Sequence, residues 1–396
     1  MDGRTKLSIL LMSGCQALMN STTSIMISSA ALVSLLLLGD DKSLATVPVT
    51  AVVTGTALMT IPASLFMRHV GRKAGFLCGA LLGIVGAAIC SYSIYIGNFW
   101  GFAFGAMFVG MYTAFGNYYR FAAVDVAGMK NRSKAVSYVL AGGLIAGFLG
   151  PQIASHSKDL FLPYVYLGPY LAIIGLGVVA IVLISFVSIP KMSVHQASGE
   201  QRPLLEIIKQ PTFIVAVLSA MIGFGVMSLV MTATPLAMVG CGHQHSDSFN
   251  VISWHVVAMY GPSFFTGSLI SRFGEYKIIF VGALLGVASV VVALMGLELM
   301  NFYVALVLLG LSWNFMFIGG TTLVTTTYKP AETSKVQGMN DFLVFGTVAT
   351  ASLASGQLQE HFGWVVVNLG ALPLLGLVMV LTLWNMPMFR RLRTAA

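Results

Sequence analysis

Three asparagines, Asn20, Asn117 and Asn314, stand inside apolar runs long enough to cross a membrane. An amide carries donors and acceptors that its own helix cannot fully satisfy, so each asks for a partner: a substrate, water or another helix. Around them lie Thr23 in "MNSTTS", Tyr112 and Thr113, Arg120 at the end of "NYYR", Met227 and Ser228, and Trp313 directly before Asn314. Amides, aromatics and one cation suit recognition of a small organic molecule, uncharged or anionic, with an apolar body. They do not suit a metal ion or a polyphosphate. A plainer reading stays open for the hydroxyls, because Ser and Thr in helices bond their own backbone carbonyls. Asp125, Asp341 and His255 are the groups placed to carry a proton, with Arg120 available to hold either acid charged. The alternative for both acids is simple pairing with loop bases.

Several chemistries have no residues to support them. The chain has no G-x-x-x-x-G-K-[ST] phosphate loop, which speaks against an ATP-driven pump. It has neither an H-E-x-x-H metal pair nor a G-x-S-x-G nucleophile turn, so an intramembrane enzyme is disfavoured. Cys15, Cys78, Cys90 and Cys241 are scattered without ligand spacing and read as buried hydrophobes rather than disulfides or metal ligands. No cofactor is expected.

The elements that must position these groups follow from composition. Of the 396 residues, 57% are hydrophobic and only 9% charged, against about a quarter charged in soluble proteins. Cutting at charges and turn residues leaves twelve apolar segments, near 8–38, 44–67, 75–96, 99–121, 135–156, 162–188, 211–239, 249–270, 277–297, 301–327, 337–359 and 364–386. Most are long enough for spans of roughly 20 apolar residues. The longest polar stretch divides the chain into six-segment halves, 1–189 and 211–396, joined by a linker at 190–210. With loops numbered alternately, all Lys and Arg fall on the N-terminal side except Lys42 and Lys158. Basic residues are retained on the cytoplasmic face, so both termini are expected there. The net charge of +8 is thereby explained by topology, with no call on nucleic acid.

The halves echo each other. "SLFMRHVGRKAGFLCGALLG" at 64–83 resembles "GSLISRFGEYKIIFVGALLG" at 267–286, with Gly71 matching Gly274. "KNRSKAVSYV" at 130–139 resembles "PAETSKVQGM" at 330–339, Lys134 matching Lys335, and the same offset sets Asn314 opposite Thr113. Parallel repeats of this kind pack about an axis along the membrane normal, with the substrate near mid-bilayer.

Twelve spans, a central linker and a basic turn after the second span of each half resemble the major facilitator superfamily. Its signature there reads G-x-x-x-D-[RK]-x-G-[RK]-[RK]. Gly71, Arg72 and Lys73 match, while Ser64 replaces the first glycine and Arg68 the acid. The second copy keeps Gly267, Arg272 and Gly274, with Ser271 at the acid position. The resemblance implies an all-α membrane fold in two pseudo-symmetric halves, a cavity lined by the first, fourth, seventh and tenth helices, and gating by these turns. Because Arg68 stands where the family has its acid, its expected partner is a helix C-terminus or an acid such as Asp125 or Asp341. Gly150 and Pro151 resemble the Gly-Pro ending more typical of antiporters, although small residues also serve helix packing.

The expectation is a monomeric secondary active transporter of the cytoplasmic (inner) membrane, moving a small organic molecule by alternating access. Protons are the expected coupling partner and export is slightly favoured. Uptake of a vitamin, siderophore or other nutrient, an uncoupled facilitator, and a non-transporting receptor are the rivals.

Overall fold

A computed structural model of the chain describes residues 3–38, 44, 47–189 and 201–394. Lys42, Lys191 and the linker up to residue 200 lie outside these described residues, as do the side chains of Arg390, Arg391 and Arg393.

The described residues are helical throughout their ordered elements, without a strand. The first group comprises α1 (Gly3–Leu38), α2 (Val47–Val70), α3 (Arg72–Ile96), α4 (Phe99–Gly116), α5 (Tyr119–Ala127), α6 (Arg132–Ser157) and α7 (Leu167–Phe186). After the short α8 (Leu204–Ile208) come α9 (Pro211–Gly240), α10 (His245–Tyr260), α11 (Ser263–Phe273) and α12 (Glu275–Met295). The chain closes with α13 (Leu299–Val324), α14 (Thr333–Leu369) and α15 (Ala371–Thr394). Nine helices among the described residues are long and apolar enough to cross a membrane, or ten with the bent α1 included. One of those stretches, Pro330–Met386, runs 57 residues and leaves helical geometry at Gly363, which is length for two spans of about 20–25 residues. Conversely α10 and α11, of 16 and 11 residues, are each too short alone and follow one another across Gly261–Pro262. The arrangement is consistent with twelve spans. The expected sixth segment starts later than its apolar run, because 158–166 forms turns ahead of α7.

The chain separates into two compact units, Met1–Lys130 with Tyr138–Val194, and Asn131–Ser137 with His195–Ala396. In the first, α3 and α2 pack on α4, and α7 packs on α1 and α3. In the second, α12, α9 and α10 pack on α13, and α14 lies along α9.

The repeat read from sequence is present in the backbone. Gly71 turns α2 into α3 at φ 88, ψ 158, and Gly274 turns α11 into α12 at φ 88, ψ 156. A left-handed φ costs other residues steric strain, so glycine is needed at both. Gly71 N–H donates to Met67 O at 2.9 Å, and Gly274 N–H to Ile270 O at 2.8 Å, closing the preceding helix in the same way. A second correspondence corrects the register. A Cβ on Gly110 would meet Val52 O at 2.0 Å, and one on Gly310 would meet His255 O at 2.7 Å. These two glycines are where α4 and α13 touch their neighbours, so Trp313, not Asn314, is the counterpart of Thr113.

Candidate functional site

In the first unit, α1 and α4 meet through Thr23 and Thr113, whose hydroxyls are 3.2 Å apart. Each also reaches the carbonyl four residues earlier, Met19 O and Val109 O, both at 3.2 Å. The two helices run antiparallel, so one turn along from this contact lie Asn20 on α1 and Asn117 on α4. Asn20 Oδ1 accepts from Gln16 Nε2 at 3.2 Å, whereas its Nδ2 is buried without a hydrogen-bond partner. Asn117 Nδ2 is in the same condition. Helix α4 ends here: Asn117 is its cap, and α5 begins two residues on. Interrupted spans of this kind place polar groups at membrane depth.

The same break gathers Tyr112 and Tyr119, whose neighbouring hydroxyls close no hydrogen bond of ordinary geometry. Tyr119 also packs its ring 4.5 Å from Phe76, while Tyr118 donates to Thr60 O at 2.9 Å. Arg120 is buried, with its guanidinium 4.7 Å from the Phe121 ring centroid. Asp125, expected beside Arg120 or Arg68, instead takes a 2.7 Å hydrogen bond from Arg72 Nε, because α5 lays it against the start of α3. Arg68 is exposed. The base that meets a helix C-terminus is Lys73, whose Nζ donates to Ser185 O near the end of α7 at 2.6 Å. Gly150 lies against α1, where an added Cβ would meet Ser24 Cβ at 2.6 Å, and Pro151 next to it is exposed.

The second unit presents a different surface. Rings from four helices converge: Phe224 on α9, Tyr260 on α10, Trp313 and Phe317 on α13, and Phe345 on α14. Trp313 and Phe317 stack at 5.0 Å and are buried, while Phe224, Tyr260 and Phe345 are half-buried. The indole N–H of Trp313 has no partner. Met227 and Ser228, also expected at the cavity, are both buried.

Asn314 has a structural engagement that its sequence context did not disclose. Its Nδ2 donates to Met259 O at 2.6 Å and Ser263 Oγ at 2.7 Å, and its Oδ1 accepts from Thr266 Oγ1 at 2.6 Å. The amide thus ties together the two sides of the α10–α11 break, with both N–H donors engaged and only a second lone pair of Oδ1 left over. His255, on α10, is buried and pairs Nδ1 with Leu306 O at 2.7 Å; a carbonyl only accepts, so Nδ1 carries the proton. Asp341 is fully buried on α14, accepting from Asn340 Nδ2 at 2.8 Å.

Of the turn residues in this unit, Gly267 sits where an added Cβ would meet Ser133 O at 2.6 Å. Ser271, at the acid position, donates to Gly267 O at 2.9 Å and shares a hydrogen bond with Ser133 Oγ at 2.9 Å. Arg272 is exposed, with its guanidinium 5.2 Å from the Phe273 ring centroid. Arg132 Nη2 donates to Glu275 Oε1 at 2.6 Å.

Sequence reading passed over Gln16, Phe224, Tyr260, Phe317 and Phe345, and took in Tyr119 only as part of "NYYR". The one local signal was "GFG" at 223–225, an aromatic between two residues that clear space beside it.

Two repeats of apolar helices with polar and aromatic groups at membrane depth define a polytopic membrane carrier. The chain matches the profile of the Major Facilitator Superfamily over residues 9–261 and belongs to that family. It is 39% identical to the riboflavin transporter RfnT of Brucella anthropi, over 94% of each chain. It is 26% identical to the uncharacterized transporter YddS of Bacillus subtilis, over 90% of this chain and 85% of that one. Among solved structures, FucP in the outward conformation matches with a TM-score of 0.76 at 17% identity, covering 96% of this chain and 98% of that one. The human organic anion transporter MFSD10 matches with a TM-score of 0.77 at 13% identity, over 96% and 100%. These two share the fold.

Proposed function

We propose that the chain carries riboflavin, or a vitamin of the same flavin class, into the cell. The observation that carries this reading is the cluster of five rings from α9, α10, α13 and α14. A flat, heteroaromatic, largely uncharged ligand gains about 1–3 kcal/mol per stacked ring face from such a surface. The likeness to a riboflavin carrier over 94% of both chains selects which flat molecule. Inward transport fits a nutrient. The feature that favoured export, small residues leading to Gly150 and Pro151, has a packing role in the close approach of Gly150 to α1.

The cytoplasmic membrane is the proposed site, with both termini inside, because the basic residues lie on that side. A proton is proposed to share the cycle, carried by Asp341, a fully buried carboxyl on α14.

The test is uptake of labelled riboflavin by cells that cannot make the vitamin, with and without the gene for this chain. Accumulation dependent on the chain, and competed by unlabelled riboflavin, is the expected result. Equal uptake by both cell lines, with the protein present in the membrane, would sink the reading.

A further inference from the structure

Phe224 stands between two glycines in the interior of α9. A Cβ on Gly223 would meet Met316 Cβ of α13 at 2.8 Å, and one on Gly225 would meet Thr347 Cγ2 of α14 at 2.8 Å. Side chains at these positions would hold α13 and α14 away from α9. Their absence draws both helices in and sets the single ring of the triplet between them.

That ring is the hub of the cluster. It lies 5.4 Å from Trp313, 5.2 Å from Phe317 and 5.7 Å from Phe345, at interplanar angles of 78°, 73° and 68°. Three near-perpendicular contacts fix its tilt, as edge-to-face aromatic pairs do. Trp313 and Phe317 beneath it are 1% and 2% exposed, whereas Phe224 keeps part of its surface open. The neighbouring Trp313 carries a buried N–H without a partner, a donor that a heteroaromatic ligand bearing carbonyl groups can satisfy and a hydrocarbon cannot.

We propose that Phe224 is the ring on which the substrate's flat ring system stacks, and so sets the carrier's preference for planar heteroaromatics. Gly223 and Gly225 are the positioning residues that hold it there. The proposal rests on the flavin reading and names the side chain that performs it.

The experiment titrates detergent-purified full-length protein into riboflavin and follows flavin fluorescence, which stacking on an aromatic ring quenches. The wild type is expected to quench. Phe224→Leu is expected to bind at least about tenfold more weakly, and Phe224→Trp to keep affinity within about threefold, since a ring face is retained. A Leu variant that binds and quenches like the wild type overturns the proposal and leaves the flavin reading standing. A wild type that neither binds nor quenches riboflavin overturns the flavin reading and this proposal with it. Should Phe224→Leu fail to fold, Phe224→Met replaces it with the same expected loss, and competition on the wild type checks what part of the ligand is bound: lumiflavin, the ring system without its ribityl chain, is expected to displace riboflavin and ribitol is not. Displacement by ribitol but not by lumiflavin would overturn ring recognition.

Discussion

Arg72 and Glu275 stand at equivalent places in the two repeats, each opening a helix directly after a left-handed glycine, and they carry opposite charge. Arg72 is paired with Asp125 at 2.7 Å and Glu275 with Arg132 at 2.6 Å. The inversion does not extend to the second echo: Arg132 falls opposite Thr333, and the residue before it, Glu332, is fully buried and held by Arg202 Nε at 2.8 Å and Nη2 at 2.6 Å. The turn geometry is common to both halves because glycine conformation dictates it. The charge is free to invert because an ion pair needs only opposite signs, whichever partner bears which.

These pairs should differ in worth. Arg72 and Asp125 side chains are 14% and 32% exposed, while Glu275 is 7% exposed. Arg132→Ala strands a buried carboxylate and is expected to cost about 3 kcal/mol, whereas Arg72→Ala costs at most about 1 kcal/mol. Thermal melting of the purified variants checks the order. The double exchange Arg132→Glu with Glu275→Arg should recover most of the loss, and no recovery would mean that the pair is not what holds the segment.

Asn314 and Asn117 should separate stability from transport. Asn314→Ala takes from Met259 O and Ser263 Oγ the amide donor they share, while Thr266 falls back on Pro262 O at 2.8 Å, a loss of about 2–3 kcal/mol. Asn117→Ala removes an amide nitrogen that has no partner, and melting is expected to stay within about 1 kcal/mol of wild type. Riboflavin uptake by the Asn117 variant, normalised to protein in the membrane, then reports any role of that amide in transport. Equal melting of the two variants would contradict the geometry described for Asn314.

Gly71→Ala and Gly274→Ala each force a side chain into φ 88. No atom lies within 4 Å of a Cβ at either place, so the cost is backbone strain alone, about 1–3 kcal/mol. The two variants should lose the same amount, and markedly unequal melting would show that the repeats differ in more than charge.

Proton linkage is tested at Asp341. Collapse of the proton gradient with an ionophore is expected to lower uptake by the wild type. Asp341→Asn should retain exchange of riboflavin across the membrane yet lose its response to the gradient. His255→Leu should keep that response, because Nδ1 of His255 is committed to Leu306 O. A gradient response that survives in Asp341→Asn and vanishes in His255→Leu would reverse the assignment.

The sequence by itself determined the membrane class, the segment pattern, the repeat and the turns at Gly71 and Gly274. These are local properties: apolar length sets a span, and a left-handed φ selects glycine within a single residue. Partnership was beyond its reach. Asn117 and Asn314 are the same residue type in similar apolar settings, and what distinguishes them is that Thr266, Ser263 and Met259, 48 to 55 positions away from Asn314, meet its amide. The ring cluster was hidden for the same reason. Among 25 Phe and 13 Tyr, helical spacing links Trp313 to Phe317 but cannot bring Phe224, Tyr260 and Phe345 to them from three other helices. Only the packing of α9, α10, α13 and α14 does that, because hydrogen bonds and ring contacts act over a few ångströms between segments the chain holds far apart.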